Sequence, residues 1–139
     1  MAKSDRTTDL QFAALPYRFE RGGLEILLIT SRGRGRWLIP KGWPIENRKP
    51  HEVAEIEAFQ EAGIKGKVGK KPIGTYPYAK FLPNGEERLC LVTVFPLRVT
   101  LEAVKWRERA DRKRAWFSKG EAVTLVEEGG LAQIISEWR

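Results

Sequence analysis

The chain has 139 residues, 42% hydrophobic and 31% charged, with 13 glycines and 8 prolines, a balance that excludes a disordered chain, a collagen-like repeat and a coiled coil. The length suits one domain with its own core. Twenty-five basic residues against 18 acidic ones give a net charge of +7, which favours an anionic partner: a phosphorylated small molecule, nucleic acid or acidic lipid.

Residues 1–10 read as a loose tail, followed by a strand from Gln11 to Glu20, in which Pro16 suggests an edge or a bulge. Arg21-Gly22-Gly23 marks a turn, and the apolar run Leu24 to Thr30 predicts a buried strand. The loop SRGRGR leads to a brief apolar stretch, Trp37-Leu38-Ile39, closed by Pro40. Gly42 to Pro50 has loop composition, and Pro50 suits the first turn of a helix running to about Ala62, with Gly63 as its stop. Ile64 to Lys80 predicts an interrupted strand region, joined through the Pro83-Asn84-Gly85 turn to a strong strand over Glu87 to Val99. A short strand at Ala115 to Phe117 and helices over Lys119 to Glu127 and Leu131 to Trp138 complete the chain. This order predicts an α+β fold, an α/β/α sandwich around a mixed central sheet.

No apolar run approaches the ~20 residues that span a bilayer, and Met1 to Asp9 has no apolar signal core, so no membrane partner is expected. The single cysteine, Cys90, permits no internal disulfide and no cysteine-built zinc site; it reads as a small core residue in a reducing, cytoplasmic setting. The lone histidine, His51, reads as exposed and incidental, because one histidine builds neither a triad nor a His-rich metal site.

Charge is distributed unevenly. Arg32, Arg34 and Arg36 share one short loop with Lys41 just beyond, and a second basic group runs from Lys105 to Arg114. The acidic residues gather between Glu46 and Glu61. On a helical wheel of about 100° per residue, Glu57, Gln60 and Glu61 share one face, while Ala54, Ala58 and Ala62 form another suited to close packing. Two carboxylates one turn apart repel, and a hard divalent cation removes that penalty. An ordinary acidic helix face is the alternative reading.

The window PKGWPIENRKPHEVAEIEAFQEAGI resembles the Nudix box, G-x5-E-x7-R-E-U-x-E-E-x-G-U, where U is a bulky apolar residue. Gly42 matches the opening glycine, Glu57 the first catalytic glutamate, Glu61 the last, and Gly63-Ile64 the closing pair; Ala58 is small for its apolar position. The arginine loop before WLIPKG and the late RKRAWF segment extend the resemblance, toward the branch that hydrolyses diphosphoinositol polyphosphates and diadenosine polyphosphates. A single domain over residues 11–139, with the box at 42–64, is implied. Three positions depart from the pattern: Arg48 and Gln60 stand where the family has glutamates, and Ile56 where it has arginine. Glu46 is a candidate to compensate for the first.

The resemblance implies Mg²⁺-dependent, or Mn²⁺-dependent, hydrolysis of a pyrophosphate bond in a polyphosphorylated small molecule. Glu57 and Glu61 would be catalytic, with Gly42, Glu57, Gln60 and Glu61 as the metal set and Glu86 or Glu87 as an extra carboxylate. Substrate phosphates would meet Arg32, Arg34, Lys41, Arg88 and Lys113, and Trp43 or Tyr78 could stack on a base. The protein would act as a monomer or homodimer. Two alternatives remain: a catalytically impaired module binding nucleotide or RNA, and an enzyme acting on RNA 5′ ends. On the family pattern, Gln60→Glu should raise turnover and Glu61→Gln should abolish it.

Overall fold

The computed structural model describes residues 9–20 and 22–138. Eight strands form one sheet: β1 (Asp9–Glu20), β2 (Gly23–Thr30), β3 (Trp37–Leu38), β4 (Lys41–Gly42), β5 (Ile64–Val68), β6 (Gly74–Phe81), β7 (Glu87–Glu102) and β8 (Arg114–Ser118). Three helices, α1 (Pro50–Glu57), α2 (Lys119–Leu125) and α3 (Gly129–Glu137), pack on it. Most of the expected tail lies outside the described residues, but Asp9 and Leu10 are already paired in β1, opposite Cys90 and Leu91.

The long strands β1 and β7 run parallel at the centre, and every other pairing is antiparallel, so the sheet is mixed. Each central strand serves two neighbours along its length. β1 pairs with β4 at Phe12 and Ala13 and with β2 from Tyr17 onward, while β7 pairs first with β6 and then with β5. The sheet therefore opens on either side of its central pair, and the site described below forms beside β4 and β6.

Alternation along β2 sends successive side chains to opposite faces. Leu27 and Ile29 pack with Ala54, Ala58 and Ala62, the small-residue face expected from the wheel. Ile26 and Leu28 join Tyr76, Ala122, Leu131 and Ile135 under α2 and α3. Two apolar cores, one on each side of the sheet, make the α/β/α sandwich. Cys90 is fully buried and free.

Candidate active site

The acidic helix is positioned at both ends by local chemistry. Pro50 opens its first turn, and the Glu52 carboxylate accepts a hydrogen bond from the Lys49 amide at 2.8 Å. After Glu57 the helix widens into a π-helical turn over Ala58–Ala62 and stops at Gly63, whose φ of 68° lies in the left-handed region. A side chain at Gly63 would also collide with Trp106, whose Nε1 donates to the Glu61 carbonyl at 3.2 Å.

Glu57 and Glu61 meet. Their carboxyl groups are close enough to perturb each other's protonation, and Glu61 accepts a hydrogen bond from the Lys41 amide at 3.3 Å. The Arg112 guanidinium stands 3.9 Å from Glu61 Oε1 and 2.7 Å from Glu108 Oε1. Burial pushes the Glu61 carboxyl up to about 8; the Arg112 charge opposes this, and Glu57 and Glu108 add to it. Glu57 is raised as well, by burial first, with the Glu108 charge adding and the Glu61 side chain opposing. Lys41 is lowered to about 8 by burial, against the attraction of Glu61, and its ammonium sits 4.1 Å from the Tyr78 ring centroid. Such a group of mutually perturbed charges in a cleft makes this the candidate functional site.

A cavity of about 560 Å³ opens onto this pair. The hairpin loop between β2 and β3 is closed by Ser31, which exchanges main-chain hydrogen bonds with Arg36 and Gly35. That loop delivers Arg32, Arg34 and Arg36 to one wall. Lys41, Gly42, Trp43, Glu57, Glu61 and Tyr78 line the cavity as well.

Other expected site residues lie elsewhere. Gln60 is not among the lining residues; the widened turn breaks the 100° periodicity on which its placement rested, and its carbonyl accepts from the Glu108 amide at 3.1 Å. Arg88 pairs with Asp9 at 2.8 Å, and its cross-strand partner Lys80 reaches the cavity instead. Glu86 is engaged with Asn84 in the hairpin turn, and Glu87 is exposed opposite Phe81; neither borders the cavity. Lys113 has main-chain bonds to Thr30 and lines a different cavity, and Glu46 is exposed in the loop before α1. His51 is half-buried rather than exposed, with its ring edge-on to Phe95 at 6.4 Å.

Sequence reasoning missed Arg36, Lys80, Glu108 and Arg112. Arg112 and Lys113 precede β8, so no strand alternation in the sequence singles out Arg112.

The donor chemistry fits a hard divalent cation. Glu57 and Glu61 offer carboxylate oxygens, and a Cβ at Gly42 would fill the space that Glu57 occupies. Among the described residues no three His, Cys, Asp or Glu side chains gather at one point. Two carboxylates completed by substrate phosphates and water are what Mg²⁺ typically uses.

No protein-family model matches the chain. Over 117 residues it is 31% identical to diphosphoinositol polyphosphate phosphohydrolase 3-alpha of Mus musculus, an alignment covering 83% of this chain and 67% of the relative. It is also 30% identical to Nudix hydrolase 12, mitochondrial, of Arabidopsis thaliana, across 83% of this chain. The chain belongs to the Nudix hydrolase family. It spans 58% and 59% of the length of the two Arabidopsis Nudix hydrolases, 12 and 13. The Nudix fold is shared with an Ap4A hydrolase of C. elegans in a binary complex (TM-score 0.69, 16% identity, 93% of each chain). The Nudix domain of Shewanella oneidensis NrtR, complexed with ADP ribose, superposes with a TM-score of 0.66 at 12% identity, over 96% of this chain and 95% of that one. Among the described residues no helix is long and apolar enough to cross a membrane.

Proposed function

We propose that this Nudix protein hydrolyses a pyrophosphate bond in a polyphosphorylated small molecule, of the dinucleoside polyphosphate or diphosphoinositol polyphosphate type, with Mg²⁺ or Mn²⁺. The observation that supports the reading is that Glu57 and Glu61 line one cavity together with Arg32, Arg34 and Arg36. Acidic oxygens for a cation and guanidinium groups for phosphates share one space.

Glu57 and Glu61 would hold the ion, which when bound supplies charge neutralisation of the diphosphate and activation of water. The chain's own part is positioning and proton transfer. Arg32, Arg34 and Lys80 hold the phosphate oxygens, with planar guanidinium forks fixing their orientation, while Arg36 is paired with Glu127 at 3.0 Å. Trp43 and Phe81, both exposed at the cavity, offer faces for a base or a polyol ring. Glu57 is half-buried with its pKa raised, and its carboxylate accepts the proton of the attacking water. The water oxygen bonds to phosphorus as the bridging P–O bond breaks, and the departing phosphate leaves with that electron pair.

The test is a substrate panel with product analysis in Mg²⁺ or Mn²⁺. It comprises a dinucleoside polyphosphate, a diphosphoinositol polyphosphate, ADP-ribose, a nucleoside triphosphate and a 5′-triphosphorylated RNA. Cleavage of either of the first two is expected, with Glu61→Gln lowering kcat at least ~10³-fold, the loss of several kcal/mol of charge stabilisation. Ligand binding with no turnover of any compound would overturn the reading and leave a binding module.

A further inference from the structure

The cavity holds a permanent cation beside its carboxylates. The Arg112 side chain is only 11% exposed, and two of its three nitrogens are hydrogen-bonded. Nε donates to Glu108 Oε1 at 2.7 Å, Nη1 to the Thr30 carbonyl at 2.9 Å, and Nη2 stands 3.9 Å from Glu61 Oε1. Two short bonds from behind fix the guanidinium plane, leaving Nη2 toward the acidic pair. A guanidinium keeps its charge at any working pH and has no proton to yield to a competing ion.

Glu108 is the third carboxylate on the cavity wall, but Arg112 occupies it. Its main chain is tied to Gln60, the position at which the helix lacks a family carboxylate. With Glu108 taken by Arg112, Glu57 and Glu61 are the two cavity carboxylates left to an ion. A second ion would meet no free carboxylate. Gln60 is neutral and outside the cavity, Glu108 is held, and removing a charge partner from a buried acid is costly.

The geometry points to a single-ion site in which Arg112 serves as the second cation, steadying Glu61 toward one divalent ion and excluding another. This inference rests on the metal-dependent reading above. Arg112 is thus a positioning residue for the ion, and its effect is read in the number of ions bound, independently of turnover.

The experiment counts Mn²⁺ by electron paramagnetic resonance on the full chain, with methylene diphosphonate as a non-hydrolysable diphosphate. One ion per chain is expected for the native protein. Arg112→Gln, which frees Glu108 and removes the fixed charge, should bind a second ion and show the broadened signal of a coupled Mn²⁺ pair. Two or more ions in the native protein would overturn the inference while leaving the metal-dependent reading intact. One ion in Arg112→Gln, with affinity within twofold of the native protein, would also overturn it. A count of zero would remove the metal-dependent reading and this inference with it. Should Arg112→Gln fail to fold, the native count alone decides.

Discussion

Gly42 leaves open the space that the Glu57 carboxylate fills: a Cβ at position 42 would overlap Cδ and Oε2 of Glu57. The backbone there cannot retreat easily, because β4 is paired with β1 through Gly42 and Phe12. Gly42 has no left-handed φ to require glycine, so close approach is the reason for it. Gly42→Ala should therefore displace the Glu57 carboxylate by about an ångström and lower kcat/KM about 100-fold, the usual cost of such a misplacement. The melting temperature should change little. An alanine variant with native kinetics would show that the position of Glu57 is not critical.

The far end of the same helix depends on Arg114. Its Nη1 donates to the carbonyls of Ala62 and Gly63 at 2.8 and 3.2 Å, and its Nη2 donates to Ala103 at 2.8 Å. Its guanidinium lies 4.0 Å from the Trp106 ring centroid. Helix C-termini leave carbonyls without intrahelical partners, and here one side chain meets those of Ala62 and the cap residue Gly63. Arg114→Met should cost about 2–4 kcal/mol in urea unfolding, from two or three charge-assisted hydrogen bonds lost. Arg114→Lys should recover only part, because an ammonium cannot reproduce the planar fork. Full recovery by lysine would reduce Arg114 to a simple charge.

The parts of the fold that rest on short-range chemistry were legible in the sequence. The alanines at 54, 58 and 62 announced a close-packed helix face, Gly63 its end, and Leu24 to Thr30 a buried strand. The resemblance to the Nudix box singled out Gly42, Glu57 and Glu61, and all three line the candidate site's cavity. What was not legible depends on register between distant strands. Arg88 and Lys80 stand directly opposite each other, and only the pairing of β1 with β7 decides that Arg88 is taken by Asp9. The same holds for Lys113, whose main-chain bonds to Thr30 set which neighbour enters the cavity. Gln60 was misplaced for a local reason, the π-helical turn, which no periodicity argument anticipates.

That turn changes the expectation for Gln60. The family pattern alone makes Gln60→Glu a gain of function, since it restores a carboxylate. With position 60 outside the cavity, the added charge would not reach an ion held by Glu57 and Glu61 as proposed. Gln60→Glu should change kcat by less than about threefold, under 1 kcal/mol in the barrier. A tenfold or greater rise would show that the side chain swings into the cavity when substrate binds.

The buried charges also set a pH dependence for the metal-free protein. Burial raises Glu61 from its ordinary 4.5 to about 8, so between those values the native state keeps a proton that the unfolded chain has released. Stability therefore falls as pH rises through that window, and Glu57, also raised, acts in the same sense. Lys41 has the opposite sign: it is lowered from 10.5 to about 8, so above pH 8 the unfolded chain holds the extra proton and stability climbs. Urea midpoints measured in chelator should be lower at pH 8 than at either pH 5.5 or pH 10. Glu61→Gln should flatten the limb between pH 5.5 and 8. Mg²⁺ should stabilise the protein more at pH 8 than at pH 5.5, because at the lower pH it must first displace the shared proton. A metal-free midpoint that rises steadily from pH 5.5 to pH 8 would mean that the two carboxyl groups do not share a buried proton.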